Sequence, residues 1–130
     1  MEAQFPEKQR PKFLNLLQIK QPLPAIVSIL HRISGVLLFF PGIPLLLYGL
    51  QMALQSPESF ADLQSNLAHP LGKFFLILAS WFFLHHLCAG IRHLALDLDC
   101  GLELQSARLS SKLVLAAGLI LTVLIGIWLW

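Results

Sequence analysis

Apolar residues in this chain come in long uninterrupted runs, with no alternation and no narrow stripe. Three stretches stand out: about Pro24 to Met52, about Leu71 to Leu98, and about Leu113 to Trp130. A helix that crosses a bilayer needs roughly 20 mostly apolar residues, within a range of about 17–25. The third stretch has that length and carries no charge from Leu113 to Trp130. The first two are longer and hold polar residues, so they must tilt, kink or project beyond the hydrocarbon. The pattern predicts an all-α membrane protein: a polar arm over residues 1–23, then three transmembrane helices within 24–130. Pro41-Gly42-Ile43-Pro44 interrupts the first span. A proline there removes a backbone donor, and neighbouring groups in a membrane can satisfy the freed carbonyl. A bend without a break is predicted.

The links between spans are short. Gln55 to Pro70, with Ser56-Pro57-Glu58, reads as a loop holding one interfacial turn. Asp99 to Ser111 reads as a second polar link, with Gly101 as a helix terminator. There is no internal repeat and no low-complexity tract. Basic residues near span ends set orientation. Lys8, Arg10, Lys12 and Lys20 lie in the arm, and Arg108 and Lys112 at the second link; the first link has none before Lys73. The arm and second link are therefore expected in the cytoplasm, and the first link and C-terminus on the far side. Trp128 and Trp130 fall at that far end, where aromatic rings favour the interface. His69 is also expected there, as an interfacial residue.

Composition agrees with a lipid-facing surface. Hydrophobic residues make up 56% and charged residues 12%, and mean hydropathy is +0.71. A soluble domain carries about 25% charged residues, so this chain cannot cover a water-facing surface. The net charge of +2 gives no reason to infer a nucleic-acid partner. Two cysteines, Cys88 and Cys100, make no disulfide framework, and Cys88 reads as a small packed hydrophobe. Met1-Glu2-Ala3-Gln4 opens without the apolar core of a signal peptide or the basic, Ser-rich character of a transit peptide. Insertion by the first span into a bacterial inner membrane is the expectation.

Ionisable groups inside a span each cost about 2.5–3.5 kcal/mol on insertion scales. They usually face a protein interior and mark a working site. The first cluster lies in Ser28-Ile29-Leu30-His31-Arg32-Ile33-Ser34-Gly35. Ser28, His31 and Arg32 stand at i, i+3 and i+4 and share one helix face. Together they can hydrogen-bond a carbonyl or carboxylates. The plain alternative is that Arg32 only snorkels to the headgroups. The second cluster is His85-His86-Leu87-Cys88-Ala89-Gly90-Ile91-Arg92-His93, then Asp97. His86, Gly90, His93 and Asp97 form one stripe. Gly90 lets a flat ligand or another helix approach the backbone. His85 lies about 100° round the helix from His86, so the two cannot meet one metal. Arg92 and His93 sit nearer the cytoplasmic end, where anionic groups or headgroups are within reach.

The first span runs inward and the second returns, so both clusters fall at similar depth. Antiparallel packing would join them into one composite site. Imidazole is a common axial ligand of haem iron. A macrocycle with carboxylates fits these residues better than zinc, which wants four close ligands in structural sites.

These same residues carry a family resemblance. The chain resembles the cytochrome b subunits of succinate dehydrogenase, the membrane anchors of respiratory complex II. The likeness rests on Arg10-Pro11, on Ser28 through Gly35, and on His86 through Gly90-Ile91-Arg92-His93 to Asp97, with three-span length and matching spacing. It implies that His86 is an axial ligand of haem b, with the other axial histidine on a second membrane anchor subunit. It implies His31 and Arg32 as neighbours of the haem propionates. Ser28 and Arg32 would hydrogen-bond ubiquinone, with Leu16 and Ile29 as apolar walls of that pocket. His93 and Asp97 belong to the motif as residues that support the ligands from behind or pack the helices. Lys12, Leu96 and Asp99 depart from the usual family pattern, but none is a proposed ligand.

The resemblance further implies partners: a flavoprotein and an iron–sulfur subunit docked on the cytoplasmic face. The anchor would have no succinate site of its own and would pass electrons to ubiquinone. An anchor of fumarate reductase, which runs the same couple backwards, shares the motif. A transporter or proton-relay subunit using His31, His86 and His93 is the alternative from another class.

Overall fold

The computed structural model describes residues 18–130, and all regular structure among them is helical. Leu16 and the basic residues Lys8, Arg10 and Lys12 lie outside the described residues. Helix α1 spans Leu23–Leu37, and α2 spans Ile43–Gln55. A π-helical turn, Leu38–Gly42, joins them with Pro41 inside it. Pro41 has no N–H for the carbonyl of Leu37, and widening the turn lets the chain continue as a helix through the proline. The whole run, Leu23–Gln55, is one of three segments among the described residues long and apolar enough to cross a membrane.

Helix α3, Pro57–Ala68, replaces the loop expected between the first two spans. Its start explains why. Ser56 accepts from Ser59 N–H at 3.1 Å, and Ser59 Oγ reaches back to Ser56 N–H at 3.1 Å. This reciprocal cap, with Pro57 in the first turn and Glu58 beside it, nucleates a helix whose middle is polar. Helix α4, Pro70–Asp97, follows directly, and His69 Nδ1 accepts from Leu71 N–H at 3.3 Å at its start. Helix α5, Leu104–Leu129, begins well before the apolar run does, so the polar link shrinks to Leu98–Glu103. The turn there uses positive φ at Asp99 (59°) and Gly101 (79°).

Side-chain contacts fix the directions. Arg92 meets Ser110, a Cβ on Gly118 would meet Trp81, and Lys73 lies 5.2 Å from the Trp130 ring. Numbers rise on α5 as they fall on α4, so the two run antiparallel, and α1 runs parallel to α5. Helices α1, α4 and α5 pack on one another; among the described residues α2 packs only on α3 and the π-helical turn. The centre of the bundle is Val27, Ala89 and Val114, with Cys88 and Leu115 partly buried against it.

Small residues make this close approach possible. On α5, Ser111, Gly118 and Thr122 are buried. A Cβ on Gly118 would lie 3.5 Å from His85 Cα, and one on Gly126 would lie 3.6 Å from Ile77. The buried hydroxyls are satisfied inside their own helix. Ser111 donates to Ala107 O at 2.7 Å and Thr122 to Gly118 O at 2.7 Å.

Candidate functional site

Helices α1 and α4 meet through three histidines. The rings of His31 and His86 stack with centroids 4.2 Å apart and planes 19° apart. His31 also lies 5.1 Å from the His93 ring, tilted by 43°. The stripe on α4 therefore receives His31 from α1. Gly90 is what admits it: a Cβ there would stand 3.5 Å from His31 Nε2. The room that Gly90 provides is taken by a side chain of this same chain.

Hydrogen bonds set the state of His86. Its Nδ1 lies 3.1 Å from the His31 carbonyl oxygen and 3.1 Å from Ser34 Oγ. A carbonyl oxygen can only accept, so Nδ1 carries the proton and donates. Ser34 donates its own hydroxyl to the same carbonyl at 2.8 Å, which leaves its oxygen free to accept from His86. The proton on Nδ1 leaves Nε2 as the nitrogen with an available lone pair. Ser34 is fully buried. One helical step on, a Cβ at Gly35 would lie 3.0 Å from His86 Cε1. Ser34 and Gly35 are thus the floor under the His86 ring.

Other residues named from the sequence are placed differently. Arg32 is exposed and borders a shallow apolar cleft with Ile33, Val36 and Leu37. Ser28 is half-buried, and Ile29 is exposed. Asp97 is the last residue of α4 and is exposed, one turn beyond His93. Arg92 does not reach toward headgroups. It is buried and turned to α5, where Nε donates to Ser110 Oγ at 3.0 Å and Nη2 to Ala107 O at 3.5 Å. His85 faces α5 as well, stacked on Trp81 with centroids 5.5 Å apart. It is only 2% exposed, and neither ring nitrogen has a hydrogen-bond partner among the described residues.

Sequence reasoning assigned no role to Ser34 and Gly35. They stand at i+3 and i+4 from His31, which places them on its face of α1, and this spacing is the signal that could have found them. Among the described residues no group of three or more His, Cys, Asp or Glu side chains converges as a metal-ion site. The arrangement instead offers one oriented imidazole with a free nitrogen. That suits an iron whose other ligands come from elsewhere, such as a macrocycle.

A three-span helical membrane protein with a histidine cluster between its first two spans is the class that fold and site define. The sequence family described as succinate dehydrogenase/fumarate reductase transmembrane subunit matches residues 6–125, and the chain belongs to it. Among its relatives, the succinate dehydrogenase cytochrome b556 subunit of Coxiella burnetii is 41% identical over 126 residues, covering 94% of this chain and 98% of the relative. The Paracoccus denitrificans subunit of the same name is 38% identical over 115 residues, 88% of each chain. That of Rickettsia prowazekii is 29% identical over 119 residues, 92% of each.

Proposed function

We propose that this chain is a haem b-binding anchor of succinate:ubiquinone oxidoreductase in a bacterial inner membrane. The observation that carries the reading is the His86 ring, held through Nδ1–H by the His31 carbonyl and Ser34. Histidines that ligate metals almost always donate their other ring N–H in this way. The names of the relatives, cytochrome b556 subunits of succinate dehydrogenase, support the same assignment.

In this reading His86 Nε2 would hold the haem iron together with a histidine of a second membrane anchor subunit. Bound haem would supply a one-electron redox centre. His31, stacked on His86, and Arg32 would hold the propionates. Ser28 and Arg32 sit one turn apart on α1 and would hydrogen-bond the ubiquinone oxygens, with Ile29 beside them as apolar wall. His93 supports His31 from the cytoplasmic side, and Asp97 ends the helix there. The Leu98–Glu103 link faces the cytoplasm, where the flavoprotein and iron–sulfur subunits dock. Helix α2 leaves Leu45, Leu46 and Leu47 exposed, surface suited to lipid or to the second anchor.

The experiment is a reduced-minus-oxidised optical spectrum of the purified complex, with and without His86→Leu. A b-type spectrum in the wild type and loss of the bis-histidine low-spin EPR signal in the variant are expected. An unchanged signal in the variant removes His86 as ligand. Absence of any b-type spectrum in the wild type removes the whole assignment and favours a transport role.

A further inference from the structure

A second polar feature lies apart from the histidine cluster. At the end of the bundle where α1 and α5 both begin, a cleft is lined by Lys20, Gln21, Pro22, Leu23, Arg108 and Lys112. Three of these are cations and, among the described residues, no carboxylate lines the cleft. All three are exposed.

These are basic residues that orient the spans, but orientation asks only that they lie near the cytoplasmic surface, not that they share one cleft. Arg108 and Lys112 stand at i and i+4 on α5, a spacing at which like charges repel. With no carboxylate among the lining residues, three cations therefore concentrate positive potential on one cleft. A bound anion would relieve it.

Depth says which anion. Lys112 immediately precedes the charge-free run Leu113 to Trp130, and Lys20 precedes the apolar start of α1. The cleft thus opens at the level where hydrocarbon gives way to headgroups. Pro22 and Leu23 supply an apolar wall on its membrane side. We propose that this cleft binds the phosphate of an anionic phospholipid of the cytoplasmic leaflet, with Lys20, Arg108 and Lys112 as its ligands. A basic residue near a membrane surface strengthens anionic-lipid binding by about 1 kcal/mol, about fivefold.

The test uses the intact complex, delipidated in detergent and titrated separately with phosphatidylglycerol, phosphatidylcholine and inorganic phosphate. Bound lipid is read by mass spectrometry. Phosphatidylglycerol should be retained over phosphatidylcholine, and millimolar phosphate should not displace it. Arg108→Gln with Lys112→Gln should weaken retention by roughly twenty-five-fold, the product of two fivefold losses, with succinate-to-dye turnover unchanged. Lys20→Gln, outside the helices, should give about fivefold and serves if the double variant fails to assemble. Equal retention of the two lipids overturns the proposal, as does displacement by free phosphate. So does a double variant that sheds its soluble subunits while holding phosphatidylglycerol normally, because the cleft would then be a protein interface.

Discussion

Gly35→Ala tests the geometry under His86 directly. The added Cβ would sit 3.0 Å from His86 Cε1, whereas carbon atoms rest at about 3.5–4.0 Å. The ring must withdraw by about 0.5 Å to restore that spacing. Its Nδ1 starts 3.1 Å from the His31 carbonyl, so such a retreat stretches the bond to about 3.6 Å, beyond hydrogen bonding. Overpacking of this kind costs about 1–3 kcal/mol, and the lost hydrogen bond adds about 0.5–1.5 kcal/mol. Loss of an outer-shell partner weakens metal binding by about 10–100-fold. The assay is haem per flavin in the purified complex, read from the reduced-minus-oxidised spectrum, together with thermal stability. Gly49→Ala is the matched control, because a Cβ there meets nothing within 4 Å; it should be neutral or slightly stabilising, as Ala favours helix over Gly. If Gly35→Ala keeps the wild-type haem ratio, EPR signal and stability, the argument from His86 orientation fails.

Two other substitutions probe separate parts of the molecule. Arg32→Ala should lower quinone reduction by about 10–100-fold, the range for losing a hydrogen bond from a charged group, while succinate-to-dye turnover persists; unaltered quinone kinetics would remove Arg32 from the quinone site. Ser56→Ala should cost about 1 kcal/mol of local stability, seen as faster amide exchange within Pro57–Ala68, with the haem spectrum unchanged. Equal exchange rates would show that tertiary packing, and not the cap, holds α3.

Three helices long and apolar enough to cross a membrane were legible in the sequence because they rest on composition and run length, which no tertiary contact can override. The meeting of His31 with the His86–His93 stripe was also legible, since a hairpin of spans brings equal depths together. Rotation about each helix axis was not. It is set by where small residues let backbones approach, and Gly118, Ser111 and Gly126 on α5 draw the Trp81–His85–Arg92 side of α4 toward them. For that reason Arg92, which reads as a headgroup contact, ends up buried on Ser110. Helix α3 was hidden for a different reason. Its apolar content is low, and the signal lay in Ser56 and Ser59, where a hydroxyl at the third helical position takes the part usually played by Glu or Gln.

His85 and His86 show how far one residue step carries. A turn of about 100° sends His86 to α1 and His85 to α5. His86 is half-buried, with Nδ1 held by a carbonyl and a hydroxyl. His85 is almost fully buried and its nitrogens are unpaired among the described residues. An unsatisfied buried polar group costs about 1–3 kcal/mol, and the contact His85 makes is through its flat ring, stacked on Trp81 in a slot beside Gly118. A phenyl ring would fill the same slot without that penalty. At position 86 no apolar ring could replace imidazole, because the contacts there are polar on one edge and leave a nitrogen lone pair on the other. If His86 is the ligand proposed above, the one-residue step explains why His85 is not: only His86 is turned toward Ser34 and Gly35.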